Sequence, residues 1–354
     1  VLEDSPIDRE CDDEVVSRPQ ANKRPTAADV AARAGVSRQL VSLVIRDQPG
    51  ASAATRERVL QAAAELGYQR DTRAAVLRST RSQLLGVMFG VQHTFHADLV
   101  EGIYAAAESD GYDVVLSART PRRDEEHALQ TLLADRCEAL LLLGPELPPA
   151  RLAELARRLP VVVVARKVRD VPVDLVHTAD ERGIRQAIDH LVELGHRDIA
   201  HIDGGQAPSS TERRRGYRAA MRRHGLAEHV RILPGGLTEE HGDAAAQTLL
   251  AGDTLPTAVL AFNDRCAVGV LDTLIRSGVN VPDDVSLVGY DDDRLSRLAH
   301  VNLTTVAQDA REMARLAVER AIARLEERPV DGREIVLPPH LIVRGSTALA
   351  RRLP

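Results

Sequence analysis

From Leu84 onward the chain alternates short, solidly apolar runs with longer amphipathic stretches. The runs LLGVMF (84–89), YDVVLS (112–117), EALLLLG (138–144), VVVV (161–164), DIAHID (198–203), TAVLAF (257–262) and VSLVGYD (285–291) predict strands. Helical periodicity fills 97–109, 124–135, 149–158, 180–194, 210–224, 239–250 and 264–277. Strands that are apolar throughout, each followed by a helix, belong to parallel sheets covered on both faces. About 270 residues of this pattern is large for one doubly wound sheet. The pattern runs twice, with a divide near 160–180, so two similar lobes are expected. Ahead of it, residues 25–68 carry three short helical patterns, at 26–33, 37–45 and 53–66. Ser52 is placed to cap the third and Gly67 to stop it. DTRAAVLRS (71–79) is a fourth helical candidate, whereas residues 1–22 are acidic, polar and without apolar period, the pattern of a disordered tail.

Composition narrows the class. The 354 residues are 44% hydrophobic but 2% aromatic, with no Trp, so the cores must be built from Val, Leu, Ala and Ile. Three separated cysteines, Cys11, Cys137 and Cys266, form no CxxC pair, which argues against a disulfide framework or structural zinc and suits a reducing cytoplasm. No apolar run approaches a membrane span and no signal peptide is evident, so a cytoplasmic location is expected. Charge is uneven: net −6 overall, but residues 22–82 hold eleven Lys/Arg against five acids. A basic block on an acidic chain is the electrostatic footprint of a nucleic-acid-binding module, although a merely solvated basic face has the same composition.

That block contains AADVAARAGVSRQLVSLVI (27–45). Two short helices crossing over a tight turn need a small residue at the crossing, a residue tolerant of positive φ in the turn and an apolar anchor beyond it. Ala31, Gly35 and Val41 fill those roles, and Ser37 can cap the second helix. With Val30, Ala34, Leu40, Val41 and Val44 facing inward, Ser37, Arg38, Gln39 and Ser42 are left on the outer side. Arg and Gln there match the paired hydrogen-bonding edges of guanine and adenine in a major groove. Spacing alone does not separate this from any helical corner with a glycine turn.

Taken whole, RPTAADVAARAGVSRQLVSLVI followed by ASAATRERVLQAAAELGY resembles the N-terminal module of the lactose-repressor (LacI/GalR) family of bacterial transcription regulators. The matching positions are Thr26, Asp29, Val30, Ala31, Ala34, Gly35, Val36, Ser37, Val41 and Ser42, then Ser52, Thr55, Arg56, Val59, Ala63, Leu66, Gly67 and Tyr68. HLVELGHRDIAHIDG (190–204), RRRGYRAAM (213–221), AVLAFND (258–264), VSLVGYDD (285–292) and LTTVAQD (303–309) extend the resemblance along the chain. It implies an all-α helix-turn-helix headpiece (23–69), a hinge helix or linker (70–82) and a core (83–354) of two doubly wound parallel-sheet lobes, periplasmic-binding-protein-like. It also implies a homodimer, or a tetramer built from one, on a pseudo-palindromic double-stranded operator. In the hinge pattern Asp71, Ala74 and Leu77 hold the family's spacing from Tyr68, and Leu77 would be the minor-groove wedge. The DNA contacts so implied are Thr26, Ser37, Arg38, Gln39, Ser42, Thr55, Tyr68, Ala74 and Leu77. Four departures stand out: Arg70 replaces the usual Pro, Asp71 an Asn, Leu40 a common Thr, and Leu43 a common polar contact.

Parallel-sheet lobes bind ligands beyond the carboxyl ends of their strands. Those ends offer Phe95 and His96, Arg166, Asn263 and Asp264, and Asp291, with Arg213 starting a helix beyond Asp203. The resemblance implies effector contacts at Arg213, Asn263 and Asp291, with Gln308 nearby. Each also has a structural alternative: Asp264 as a helix cap, Arg213 paired with Glu212, Asp292 on the surface. An Arg among carboxylates and amides suits the vicinal hydroxyls of a carbohydrate. Leu237 stands where the family has a stacking aromatic, which leaves a nucleoside or other small metabolite open. The expected function is a ligand-responsive DNA-binding regulator, usually a repressor, with no cofactor and no metal. The alternative is a cytosolic or exported sugar-binding protein without DNA function. An enzyme is disfavoured, since no phosphate-binding glycine loop, nucleophile elbow or dinucleotide fingerprint is present.

Overall fold

The computed structural model describes residues 25–45, 48–68 and 81–351. The acidic stretch 1–22 and the hinge candidates Ala74 and Leu77 lie outside the described residues. The chain divides into two compact units, 1–80 and 81–354, and each has its own core.

The first unit packs α1 (Ala27–Ala34), α2 (Arg38–Ile45) and α3 (Ala53–Leu66) around Val30, Val41, Val44 and Val59. Boundaries fall within a residue of those expected because the caps are local. The Thr26 side chain accepts the Asp29 N–H while the Asp29 carboxylate accepts the Thr26 N–H, a capping box at the start of α1. Ser37 Oγ accepts from Leu40 N at 3.2 Å, and Ser52 Oγ from Thr55 N at 3.3 Å. Gly35 (φ +66°) and Gly67 (φ +62°) end α1 and α3 in the left-handed region, where a side chain would be strained.

The second unit holds two six-stranded sheets. Lobe one is built from β1 (Leu84–Gly90), α4 (Thr94–Ser109), β2 (Asp113–Arg119), α5 (Glu125–Ala134), β3 (Ala139–Leu143), α6 (Pro149–Ala156), β4 (Val161–Val164) and β5 (Asp174–Thr178). Lobe two follows with α7 (Asp180–Glu193), β6 (Ile199–Ile202), α8 (Ser210–Arg223), β7 (Arg231–Leu233), α9 (Glu239–Leu250), β8 (Ala258–Leu260), α10 (Asp264–Arg276), β9 (Ser286–Asp291) and β10 (Thr304–Ala307). The chain then returns to lobe one through α11 (Ala310–Leu325) and β11 (Glu334–Leu337), and ends in lobe two with β12 (His340–Ile342).

Sheet orders are β11-β5-β4-β3-β1-β2 and β12-β10-β9-β8-β6-β7. All pairs are parallel except β12 against β10. Every residue of β3 and β4 is buried, as expected of central strands covered on both faces.

The expected divide near 160–180 is the first of three crossovers, and the lobes are therefore not contiguous halves. α11 contributes Met313, Ala314, Ala317 and Val318 to the core of lobe one. β5, β7, β10, β11 and β12 were not anticipated. They are three to five residues long, and polar residues interrupt or bound them. Asp174 in β5 is tolerated in a buried strand because Arg324 donates to both of its oxygens, at 2.8 and 2.9 Å.

In lobe two, α9 and α10 meet backbone to backbone. A Cβ at Gly242 would collide with the Cys266 carbonyl, and one at Gly269 with the Glu239 carbonyl. Gly269→Ala is expected to cost about 1–3 kcal/mol and to lower the thermal unfolding midpoint. An unchanged midpoint would mean the helices can separate without penalty.

Candidate functional site

The outer face of α2 presents Ser37, Arg38, Gln39 and Ser42 to solvent, whereas Leu40 and Leu43 are half-buried. Leu43, one of the departures from the family pattern, lies beside Gly50. Arg38 and Gln39 form no hydrogen bond or ion pair with described residues, so their donor groups are available. Arg56 is committed inward, donating to the Gln48 carbonyl at 2.8 Å and so fixing the loop before α3. Thr26 sits exposed at the start of α1 as its cap, and Thr55 in the first turn of α3 bonds Ser52. Tyr68 packs against the three-helix core.

In the second unit residues beyond the carboxyl ends of eight strands converge on one cavity between the lobes. It encloses about 370 Å³ of space, open solvent at the mouth included. Lobe one supplies Phe95 and His96 from α4, Gly144 after β3 and Ala165 after β4. Lobe two supplies Arg213, Leu237, Asn263, Asp291 and Gln308. Thus all the expected effector residues line it except Arg166. That side chain donates instead to the Pro145 carbonyl, just beyond the carboxyl end of β3.

Arg213 is the organising group. Its Nε donates to Asp180 Oδ1 at 2.9 Å, its Nη1 to the Phe262 carbonyl at 2.6 Å, and its Nη2 lies 3.5 Å from Asp291 Oδ1. The guanidinium stacks 3.6 Å over the Tyr290 ring and 4.7 Å from the Phe262 ring. Burial would lower its pKa, but the Asp180 and Asp291 charges more than offset that and raise it. The Glu212 pairing considered from sequence is not formed.

Asp291, with φ +111°, closes β9 in a strained conformation. Gln308 Nε2 donates to its Oδ1 at 2.8 Å. Burial raises its pKa to about 7, outweighing the pull of Arg213. Asn263, rather than Asp264, caps α10: its Oδ1 accepts from Cys266 N and its Nδ2 donates to the Leu237 carbonyl. Asp264 is fully buried and accepts from Thr305 Oγ1 and Asp293 N. Asp292 is also buried, paired with Arg297 and Arg344.

His96 Nδ1 accepts the Gly90 N–H at 3.1 Å. Burial first, then the His93 and Arg119 charges, lower its pKa well below the usual value. The ring is therefore neutral and carries its proton on Nε2. His93 stacks on it at 4.4 Å and is pushed down to about 3 by burial and Arg119.

His93, Asp180, Ser209 and Phe262 were missed from sequence. His93 and Phe262 adjoin expected residues at strand ends, so proximity could have found them. Asp180 resembles an ordinary helix-opening acid, and only the tertiary fold brings it to Arg213.

Among the described residues no His, Cys, Asp and Glu cluster could hold a metal, and no helix is long and apolar enough to cross a membrane.

Residues 26–71 match the model for bacterial regulatory proteins of the lacI family, and 188–347 match a periplasmic binding protein-like domain. The HTH-type transcriptional regulator GalR of Escherichia coli is 32% identical, over 91% of this chain and 96% of that one. A LacI transcriptional regulator from a Rhodococcus species is 52% identical with TM-score 0.73, covering 75% of this chain and 99% of that one. The lac repressor dimer bound to operator and the anti-inducer ONPF is 30% identical with TM-score 0.79, covering 92% and 100%. A complex of the transcriptional regulator CelR with cellobiose is 32% identical with TM-score 0.67, covering 91% and 100%. With a headpiece and a two-lobed core that both match, over nearly the full length of these regulators, the chain belongs to the lacI family of DNA-binding transcriptional regulators.

Proposed function

We propose that this regulator acts in the cytoplasm as a homodimeric repressor whose operator affinity is set by a carbohydrate bound between the lobes. The observation that carries the effector half is the polar constellation of Arg213, Asp291, Asn263 and Gln308 inside a cleft that His93, Phe95, His96, Ser209, Leu237 and Phe262 also line. Carboxylate, amide and guanidinium groups fixed by one another suit the paired donors and acceptors of vicinal hydroxyls. The CelR relative binds cellobiose, a ligand of that chemistry. Arg213 lies over one face of each of the Phe262 and Tyr290 rings. The cleft has a ligand-holding rather than catalytic character, so the chain is proposed to be no enzyme.

Arg38 and Gln39 are proposed to contact base edges, with Ser37 and Ser42 beside them. Thr26, Thr55 and Tyr68 would hold the backbone, and Ala74 and Leu77 the minor groove. Effector binding would shift the operator-binding equilibrium by a coupling of about 1–3 kcal/mol. The alternative of a sugar-binding protein without DNA function gives no role to Arg38 and Gln39, which are exposed and unpartnered among the described residues.

Arg38→Ala or Gln39→Ala is expected to weaken specific operator binding by about 1–3 kcal/mol each, measured by fluorescence anisotropy on an operator found by in vitro selection. Effector-induced thermal stabilisation should stay unchanged. Equal operator affinity in both variants would remove α2 from base contact.

Asp291 supplies a pH test. In the empty cleft it takes up its proton below about pH 7, whereas sugar hydroxyls donating to it favour the ionised form. Affinity for a sugar that stabilises the core should therefore rise from pH 6 to pH 8, by up to about tenfold per unit below the pKa. Calorimetry on Asp291→Asn should give a weaker, pH-flat affinity. A pH-independent affinity in the unsubstituted chain would exclude Asp291 as the acceptor.

A further inference from the structure

We infer that Thr94 and Asp293 form a positioning pair that sets the separation of the cleft walls, an inference that rests on the cleft being the effector site. Thr94 is the first residue of α4 in lobe one, and Asp293 follows β9 in lobe two. Thr94 Oγ1 donates to Asp293 Oδ2 at 2.7 Å across the gap. A threonine at a helix start commonly spends its hydroxyl on its own helix. Here α4 has no side-chain cap, and the hydroxyl is spent on the other lobe.

Asp293 is a rigid anchor. Its side chain is buried, and its Oδ1 accepts from Leu295 N at 2.9 Å and Ser296 N at 3.2 Å. Its own N–H donates to Asp264 Oδ2 at 2.8 Å, and Asp264 is in turn held by Thr305. Only Oδ2 reaches across to lobe one. On each side the bond lies next to cavity residues. His93, Phe95 and His96 flank Thr94, and Asp291 is two residues before Asp293. A change in this one distance moves both walls of the site.

A second contact runs beside it. Arg265 at the start of α10 donates through Nη1 to the Gln92 carbonyl at 2.7 Å and is oriented by Glu239. Further out, Arg294 meets Glu101 at 2.9 Å, but both side chains are largely exposed and solvent-screened. The Thr94–Asp293 bond differs in having a buried carboxylate as acceptor. Charge assistance strengthens it, and its loss leaves a desolvated oxygen without a donor. Lobe separation must break it, so it sets how often the empty cleft opens and hence the conformational cost of binding.

Hydrogen–deuterium exchange on the full chain without added ligand tests this. Thr94→Val keeps the shape and removes the donor; Thr94→Ser keeps the donor. Thr94→Val should speed exchange about tenfold at amides of residues 92–97 and 291–296, with the rest of the core unchanged. Thr94→Ser should restore the original rates. Unchanged rates in Thr94→Val, no rescue by Thr94→Ser, or acceleration spread evenly over both lobes would each overturn the assignment. Because no ligand enters the measurement, it can fail while the carbohydrate reading stands. Equally, it can succeed where no sugar binds.

Discussion

The second unit is organised around one buried guanidinium. Arg213 joins α8 to the start of α7 through Asp180, to the end of β8 through the Phe262 carbonyl, and to the end of β9 through Asp291 and the Tyr290 ring. Leaving a charge unpaired at that depth would cost about 3–5 kcal/mol. Mutual neutralisation makes the floor of the cleft rigid and polar at once. Asp291 is the least satisfied member, near the point of losing its charge, and it faces the cavity. The same residue is structurally constrained and chemically responsive.

The sequence foretold elements whose pattern is carried by a continuous run of residues. β3 and β4 are unbroken apolar strands, and α1 and α3 are bounded by local caps, so all four were legible. β5 was not, because Asp174 and His177 break its apolar pattern. Their compensation comes from Arg320 and Arg324 on α11 and Glu334 on β11, far away in sequence. The return of α11 and β11 to lobe one has no local signature either. It is a property of the topology, expressed through packing of α11, with Met313, Ala317 and Val318 in the core, against α4, β3 and β4.

The candidate site was legible to the extent that strand ends were. Phe95, His96, Asn263 and Asp291 follow apolar runs that point into the crevice, and Gln308 and Arg213 were supplied by family resemblance. Arg166 also follows such a run and yet misses the cavity, since a nearby carbonyl captures its long side chain. Sequence position fixes where a backbone emerges, whereas a flexible side chain is steered by whichever acceptor it meets. Asp180 and Asp293 show the converse: both are unremarkable acids in sequence that acquire roles through partners in another element or the other lobe.

The central claim is that a sugar in the interlobe cleft changes how the headpiece holds DNA. Titrating the full-length regulator onto a labelled operator, with and without a sugar shown by calorimetry to bind the core, tests it most directly. The operator-binding midpoint should be displaced by about 5–150-fold, in either direction. A sugar that saturates the cleft and leaves the midpoint unmoved would contradict it.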